Sequence, residues 1–233
     1  MEFKEVMEEL ASYADERTKN TFMRHGAREP FFGVRVGDLK KILKKTKKDH
    51  HLSLALYDTG NSDAMYLAGL MADEKQISRD QLNQWVKKAY WSYLSEYAVP
   101  WVAAETPFGF DLGLEWIESD VETIATAGWS ALSNYASVNE ELNVDKYRAL
   151  LHRVAKEIDK EKNRVKYTMN GFVIAVGSFI PELTNEAKLI ADKIGKVTVY
   201  MGGTSCTVPL AIDYIKKVET RGRIGKKRKA ARC

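Results

Sequence analysis

The sequence predicts an all-α protein made of stacked helix pairs, and three observations predict it. First, helix-start signals recur: Ser78-Arg79-Asp80-Gln81 and Ser119-Asp120-Val121-Glu122 share the S-x-x-E/Q pattern, which satisfies exposed amides at a helix start, and Asn163 suits the same task. Second, these signals lie 41 and 44 residues apart, and each interval holds two apolar patterns of helical period. One example is Val144, Tyr147, Leu150, Leu151 and Val154, followed by Val165, Met169, Phe172 and Val173. Third, strand-like alternation is confined to Val197-Thr198-Val199-Tyr200 and is cut short by Gly202 and Gly203.

The elements follow in order. Phe3, Val6, Met7, Leu10 and Tyr13 define an amphipathic first helix, and a second short helix ends near His25-Gly26, where glycine accepts the left-handed conformation. After an apolar loop, Glu29 to Val34, comes a helix with Val36, Leu39, Ile42 and Leu43 on one face. Lys40, Lys41, Lys44, Lys45, Lys47 and Lys48 surround its other face, either as a solvated surface or as a phosphate contact. The run from Tyr90 to Glu105 reads as helical and gathers Trp91, Tyr93, Tyr97 and Trp101 with two carboxylates, Glu96 and Glu105. Gly195 to Val208 reads as a long loop, with a last helix starting at Pro209. A helix pair every ~40 to 47 residues is the signature of a HEAT-like solenoid, whose inner helices line a concave groove. Residues 1–219 are expected to form one such domain, followed by a basic tail at 220–233.

Composition narrows the class. With 45% hydrophobic and 29% charged residues in 233, the chain has enough apolar surface for a full core and fits neither a disordered nor a collagen-like class. No uncharged apolar run reaches the ~18 residues of a membrane span, so a cytoplasmic protein is expected. Cys206 and Cys233 lack any zinc-ligand spacing and are expected to be reduced thiols. The formal charge is +4, but the tail after Glu219 carries seven Lys or Arg and no acid, so the remainder stands at −3. Such a tail is either a solvated end or a salt-dependent contact to nucleic acid.

Three segments together resemble the AlkD-like DNA alkylation repair proteins, which are built of HEAT-like repeats. They are Phe31-Phe32-Gly33-Val34-Arg35, Trp116-Ile117-Glu118-Ser119-Asp120 and the run from Val165 to Phe172. Cys206-Thr207-Val208-Pro209 and the tail Gly225-Lys226-Lys227-Arg228-Lys229 look like one branch of that family. The resemblance implies a DNA glycosylase that releases N3- or N7-alkylated purines from double-stranded DNA without flipping the base. It implies no metal and no organic cofactor. A carboxylate would stabilise the sugar cation and position water, and aromatic surfaces would face the sugar and lesion.

Carried onto this chain, the family's Trp, Trp, Asp and Val-Pro pattern anchors on Val99-Pro100. That register puts Glu96 at the acid and Trp91 at the first tryptophan, with Ser92 at the second. Anchoring on Trp91 as the second tryptophan puts Ser95 at the acid instead. On an unbroken helix Trp91 and Glu96 would be turned apart by ~140°, whereas Trp101 and Glu105 share a face and form a geometric substitute. A later catalytic-site tryptophan falls on Phe172, and a DNA-holding arginine falls on Thr126. The expected catalytic residues are therefore Glu96 and Trp91, with Phe172 and Trp101 as substrate-contact aromatics. DNA contacts fall to Arg164 and Lys166, and to Arg221, Arg223, Lys226, Lys227, Arg228 and Lys229 in the tail. Arg164 and Lys166 occupy the first turn of a helix, where cations oppose the helix dipole, and this points to an anionic partner.

The same residues admit plainer roles. Tyr93, Tyr97 and Trp101 lie at i, i+4 and i+8, a spacing that serves core packing as readily as substrate contact. The body charge of −3 favours a second function class, a non-catalytic helical-repeat module that binds nucleic acid or protein.

Overall fold

The structure is a computed structural model that describes residues 1–232; Cys233 lies outside them, so the expectation for its thiol is not addressed. The chain opens with α1 (Phe3–Ser12), α2 (Glu16–Arg24) and α3 (Val36–Thr46). Ten further helices follow among the described residues: α4 (His50–Asp58), α5 (Ser62–Met71), α6 (Arg79–Lys88), α7 (Val99–Ala104), α8 (Gly109–Trp116), α9 (Glu122–Val138), α10 (Val144–Glu157), α11 (Asn163–Phe179), α12 (Thr184–Ile194) and α13 (Ala211–Thr220). No strand forms among them, and 197–200 lies in the loop between α12 and α13. None of these helices is long and apolar enough to cross a membrane.

From α4 onward the helices pack as pairs, α4 on α5, α8 on α9 and α10 on α11, and the second members pack on one another along the chain. This is the HEAT-like arrangement, with α5, α7, α9, α11 and α13 as the inner layer. An inner helix that touches neighbours on several sides is apolar nearly all round, and every residue of α5 is buried. Close approach needs small residues: an added Cβ at Gly69 of α5 would come within 2.8 Å of the Ala98 Cβ.

Helix starts are only partly those expected. Ser78 and Gln81 form a capping box at α6. Ser119 does not cap α9, whose N-cap is Val121; its hydroxyl accepts from the Val121 amide instead. Asn163 lies inside α11 and clamps Tyr200 of the long loop, accepting from its amide and donating to its carbonyl. The last helix begins at Ala211 rather than Pro209.

Two segments frame the inner layer. The loop 195–210 reaches from α12 back to α2, where Gly202, at φ 69°, sits so close to the Arg24 carbonyl that a Cβ would lie 2.3 Å from its oxygen. At the opposite ends of the inner helices, residues 225–232 run as a strap across their C-termini. The Gly225 amide donates to Ser178 and the Arg228 amide to Ser137. The Lys227 ammonium donates to the carbonyls of Ala136 and Phe179, joining the ends of α9 and α11. The Ala231 amide donates to Glu105 beyond α7, and Arg232 donates to the carbonyls of Leu70 and Ala72 at the end of α5. Last-turn carbonyls without partners attract cations. Residues 225–232 are therefore docked here through their backbone, Lys227 and Arg232, while Lys226, Arg228 and Lys229 stay exposed.

Candidate functional site

The expected site lies where Tyr90 to Glu105 passes through the inner layer. The segment is not an unbroken helix: Tyr93–Ala98 is a π-helical turn in which the Val99 amide bonds to the Leu94 carbonyl. Pro100 supplies the cause. It has no amide to donate to the Glu96 carbonyl and its ring crowds that oxygen, so the backbone widens upstream.

The turn aims Glu96 into the inner layer, towards α11. Glu96 is 3% exposed, and the Arg164 guanidinium binds it in a fork: Nε donates to one carboxylate oxygen at 2.6 Å and Nη2 to the other at 2.6 Å. Arg164 is enclosed in turn. Its backbone amide donates to Glu122, an Nη1 donates to the Met201 sulfur, and its guanidinium lies 4.4 Å from the Tyr167 ring centroid. The anionic partner suggested by cations at the start of α11 is thus internal for Arg164. Burial raises the Glu96 carboxyl to about 7, against the lowering pull of Arg164. His25, at the end of α2, is lowered by burial and then by the Arg164 and Arg24 charges.

Trp91 is not brought to Glu96. Its ring is 3% exposed, stacks on Tyr93 at 4.6 Å and donates its indole N–H to Ser62, on the side of the layer that faces α2 and α3. Phe172, expected as a substrate-contact aromatic, is fully buried, edge-on to Trp129 and stacked against Tyr147. Trp101 is mostly buried, edge-on to Tyr66. It also lines a groove cavity of about 260 Å³ with Glu96, Tyr97, Ser130 and Tyr167, and Arg228 lies at the edge of that cavity. Tyr93, Tyr97 and Trp101 form a continuous ladder with centroids 5.8 and 5.5 Å apart, part packing and part wall. Glu105 does not join Trp101 as a substitute site, because Arg232 and the Ala231 amide hold its carboxylate. Lys166 is half-buried beside Arg164. Thr126, at the position expected to carry a DNA-holding arginine, is fully buried in α9.

One organising residue escaped the sequence analysis. Asp63, buried at the start of α5, accepts from the amides of Phe32, Gly33 and Val34 and so fixes the loop that carries the Phe31-Phe32-Gly33 segment. Its only sequence signal is an acid beside the N-cap Asn61.

Residues 6–187 match the family model described as DNA alkylation repair enzyme. This chain belongs to that family. Relatives 32% identical over 225 residues, spanning 94% of this chain and 98% of their own, are uncharacterised proteins of Listeria innocua and Listeria monocytogenes. A solved structure superposes with a TM-score of 0.89 at 37% identity, covering all of both chains. It is described as one of a new family of proteins related to the HEAT-like repeat DNA glycosylases with affinity for branched DNA structures. The HEAT-like fold of that relative thus spans this chain at full length, while Glu96, the acid expected from the sequence, faces an internal arginine.

Proposed function

We propose that this chain is a DNA-binding member of the alkylation repair family that recognises branched DNA and does not hydrolyse glycosidic bonds. The observation that carries the reading is the Glu96–Arg164 fork. To stabilise a sugar cation, a carboxylate must turn its charge towards the deoxyribose in the transition state. Here both oxygens already serve one guanidinium, and burial works against the charged form that catalysis would need. The expected aromatic walls are also dispersed, with Trp91 on another face and Phe172 in the core. The solved relative, with its affinity for branched DNA, supports the binding half of the proposal.

The test is competition between a fluorescent four-way junction and linear duplex of the same sequence at fixed salt. The junction is expected to bind at least tenfold more tightly, and equal affinity would remove the structure-specific part of the proposal. A second reading, alkylpurine glycosylase, is favoured by the place of Glu96 on the groove cavity wall beside Tyr97 and Trp101. It requires Arg164 to leave Glu96 when DNA arrives, and Glu96-dependent base release would establish it.

A further inference from the structure

We infer that the C-terminal strap is a second phosphodiester site, which receives a DNA arm leaving the groove over the C-terminal ends of the inner helices. This rests on the DNA-binding reading and says where the second arm of a branched substrate lies.

The strap, the end of α11 and α13 enclose a cleft of about 770 Å³. Of its twelve lining residues seven are Lys or Arg and none is acidic, while Ile174, Phe179 and Val218 give it an apolar floor. Several arginines of this fold meet carboxylates: Arg148 meets Glu186, Arg153 meets Glu118, Arg164 meets Glu96 and, in the cleft itself, Arg232 meets Glu74 and Glu105. No acid lines the cleft, so beyond Arg232 and Lys227 its cations, Arg223, Lys226 and Lys229 among them, gather like charge, and a bound anion would relieve their repulsion.

The strap's anchors explain how the charge is held. Lys227 and Arg232 are committed to helix-end carbonyls and to Glu74 and Glu105, which fixes the backbone between them. Lys229 lies between these anchors and Arg223 and Lys226 just ahead of them, where the Arg223 amide donates to Val218 and the Gly225 amide to Ser178; all three are exposed and line the cleft. Cations on a pre-positioned backbone bind phosphate without the ordering cost of a free tail. Continuity supplies the route. Arg228 lines both the groove cavity and the cleft, and Thr168 and Gly171 of the cavity lie on the same face of α11 as Ile174 and Ser178 of the cleft. A strand leaving the groove over this rim meets Arg228 first and then the other cations of the cleft. A backbone polyanion fits better than a single phosphate because the cations spread along the strap.

The experiment uses the full chain and a variant carrying Arg223→Gln, Lys226→Gln and Lys229→Gln, which spares both anchors. Affinities for a labelled four-way junction and for linear duplex are measured by anisotropy from 50 to 200 mM salt, with thermal melts alongside. Three lost phosphate contacts at ~0.9 each should lower the junction's log–log salt slope by roughly 2.7, so that this salt rise costs the wild type roughly 40-fold more affinity than the variant. The duplex slope and the melting temperature should not change. An unchanged junction slope overturns the strap site and leaves DNA binding standing. Equal losses for junction and duplex overturn the second-arm assignment. Failure of the wild type to bind either DNA at 50 mM overturns the DNA-binding reading, and this inference falls with it.

Discussion

Replacing Glu96 with glutamine should change how stability depends on pH. Burial places the folded-state carboxyl at about 7, above its usual 4.5. An unfolded chain releases this proton first as pH rises, so the group stabilises the fold fully below pH 4.5 and loses that contribution as pH rises to 7 and beyond. A displacement of roughly 2.5 units corresponds to about 3 kcal/mol at the limit. The amide introduced by Glu96→Gln keeps the shape and does not titrate. Wild type should therefore lose about 3 kcal/mol relative to Glu96→Gln between pH 4.5 and 8, roughly 6 to 12 °C in relative melting temperature for a chain of this size. Asp63, also raised by burial, titrates in both proteins and cancels. Paired melts across this range give the answer. A difference independent of pH, or a wild type that gains on the variant as pH rises, would show that the Arg164 attraction outweighs burial and refute the reasoning.

Three other substitutions probe the anchors of the fold. Asp63→Ala leaves three loop amides without their acceptor and should cost about 3 kcal/mol or more in urea denaturation, since hydrogen bonds to a charged group are the strong ones. Phe172→Ala should cost roughly 3 to 5 kcal/mol as a core cavity while the surviving folded protein binds DNA with unchanged salt slope; a selective loss of binding would return Phe172 to the groove. Lys227→Met should uncap the ends of α9 and α11 and lower stability by about 1 to 3 kcal/mol, and an unchanged urea midpoint would show that the strap is not anchored there.

The repeat plan was legible because it depends on local chemistry. Val6 and Leu10 in α1, Leu39 and Ile42 in α3, and Tyr147, Leu151 and Val154 in α10 are buried on the faces their spacing defines. Signals failed where one polar residue had two possible employers: Asn163 looks like a cap but holds a loop 37 residues away. The site was harder still. Pro100 is visible in the sequence, yet the widened turn it produces, which aims Glu96, depends on packing around it. Glu96 and Arg164 are 68 positions apart, and only the odd placement of a cation at the start of a helix hinted at their fork. The tail's anchors are backbone carbonyls of distant helices, which composition does not reveal.

The central claim is that the family's fold is kept for DNA while its acid is held by Arg164. Single-turnover incubation with duplex DNA carrying N7-methylguanine and N3-methyladenine tests it most directly, with Glu96→Gln as the parallel sample. The account predicts base release no faster than the spontaneous rate in either protein, under conditions where wild type is bound to the DNA. Release by wild type that disappears in Glu96→Gln would contradict it.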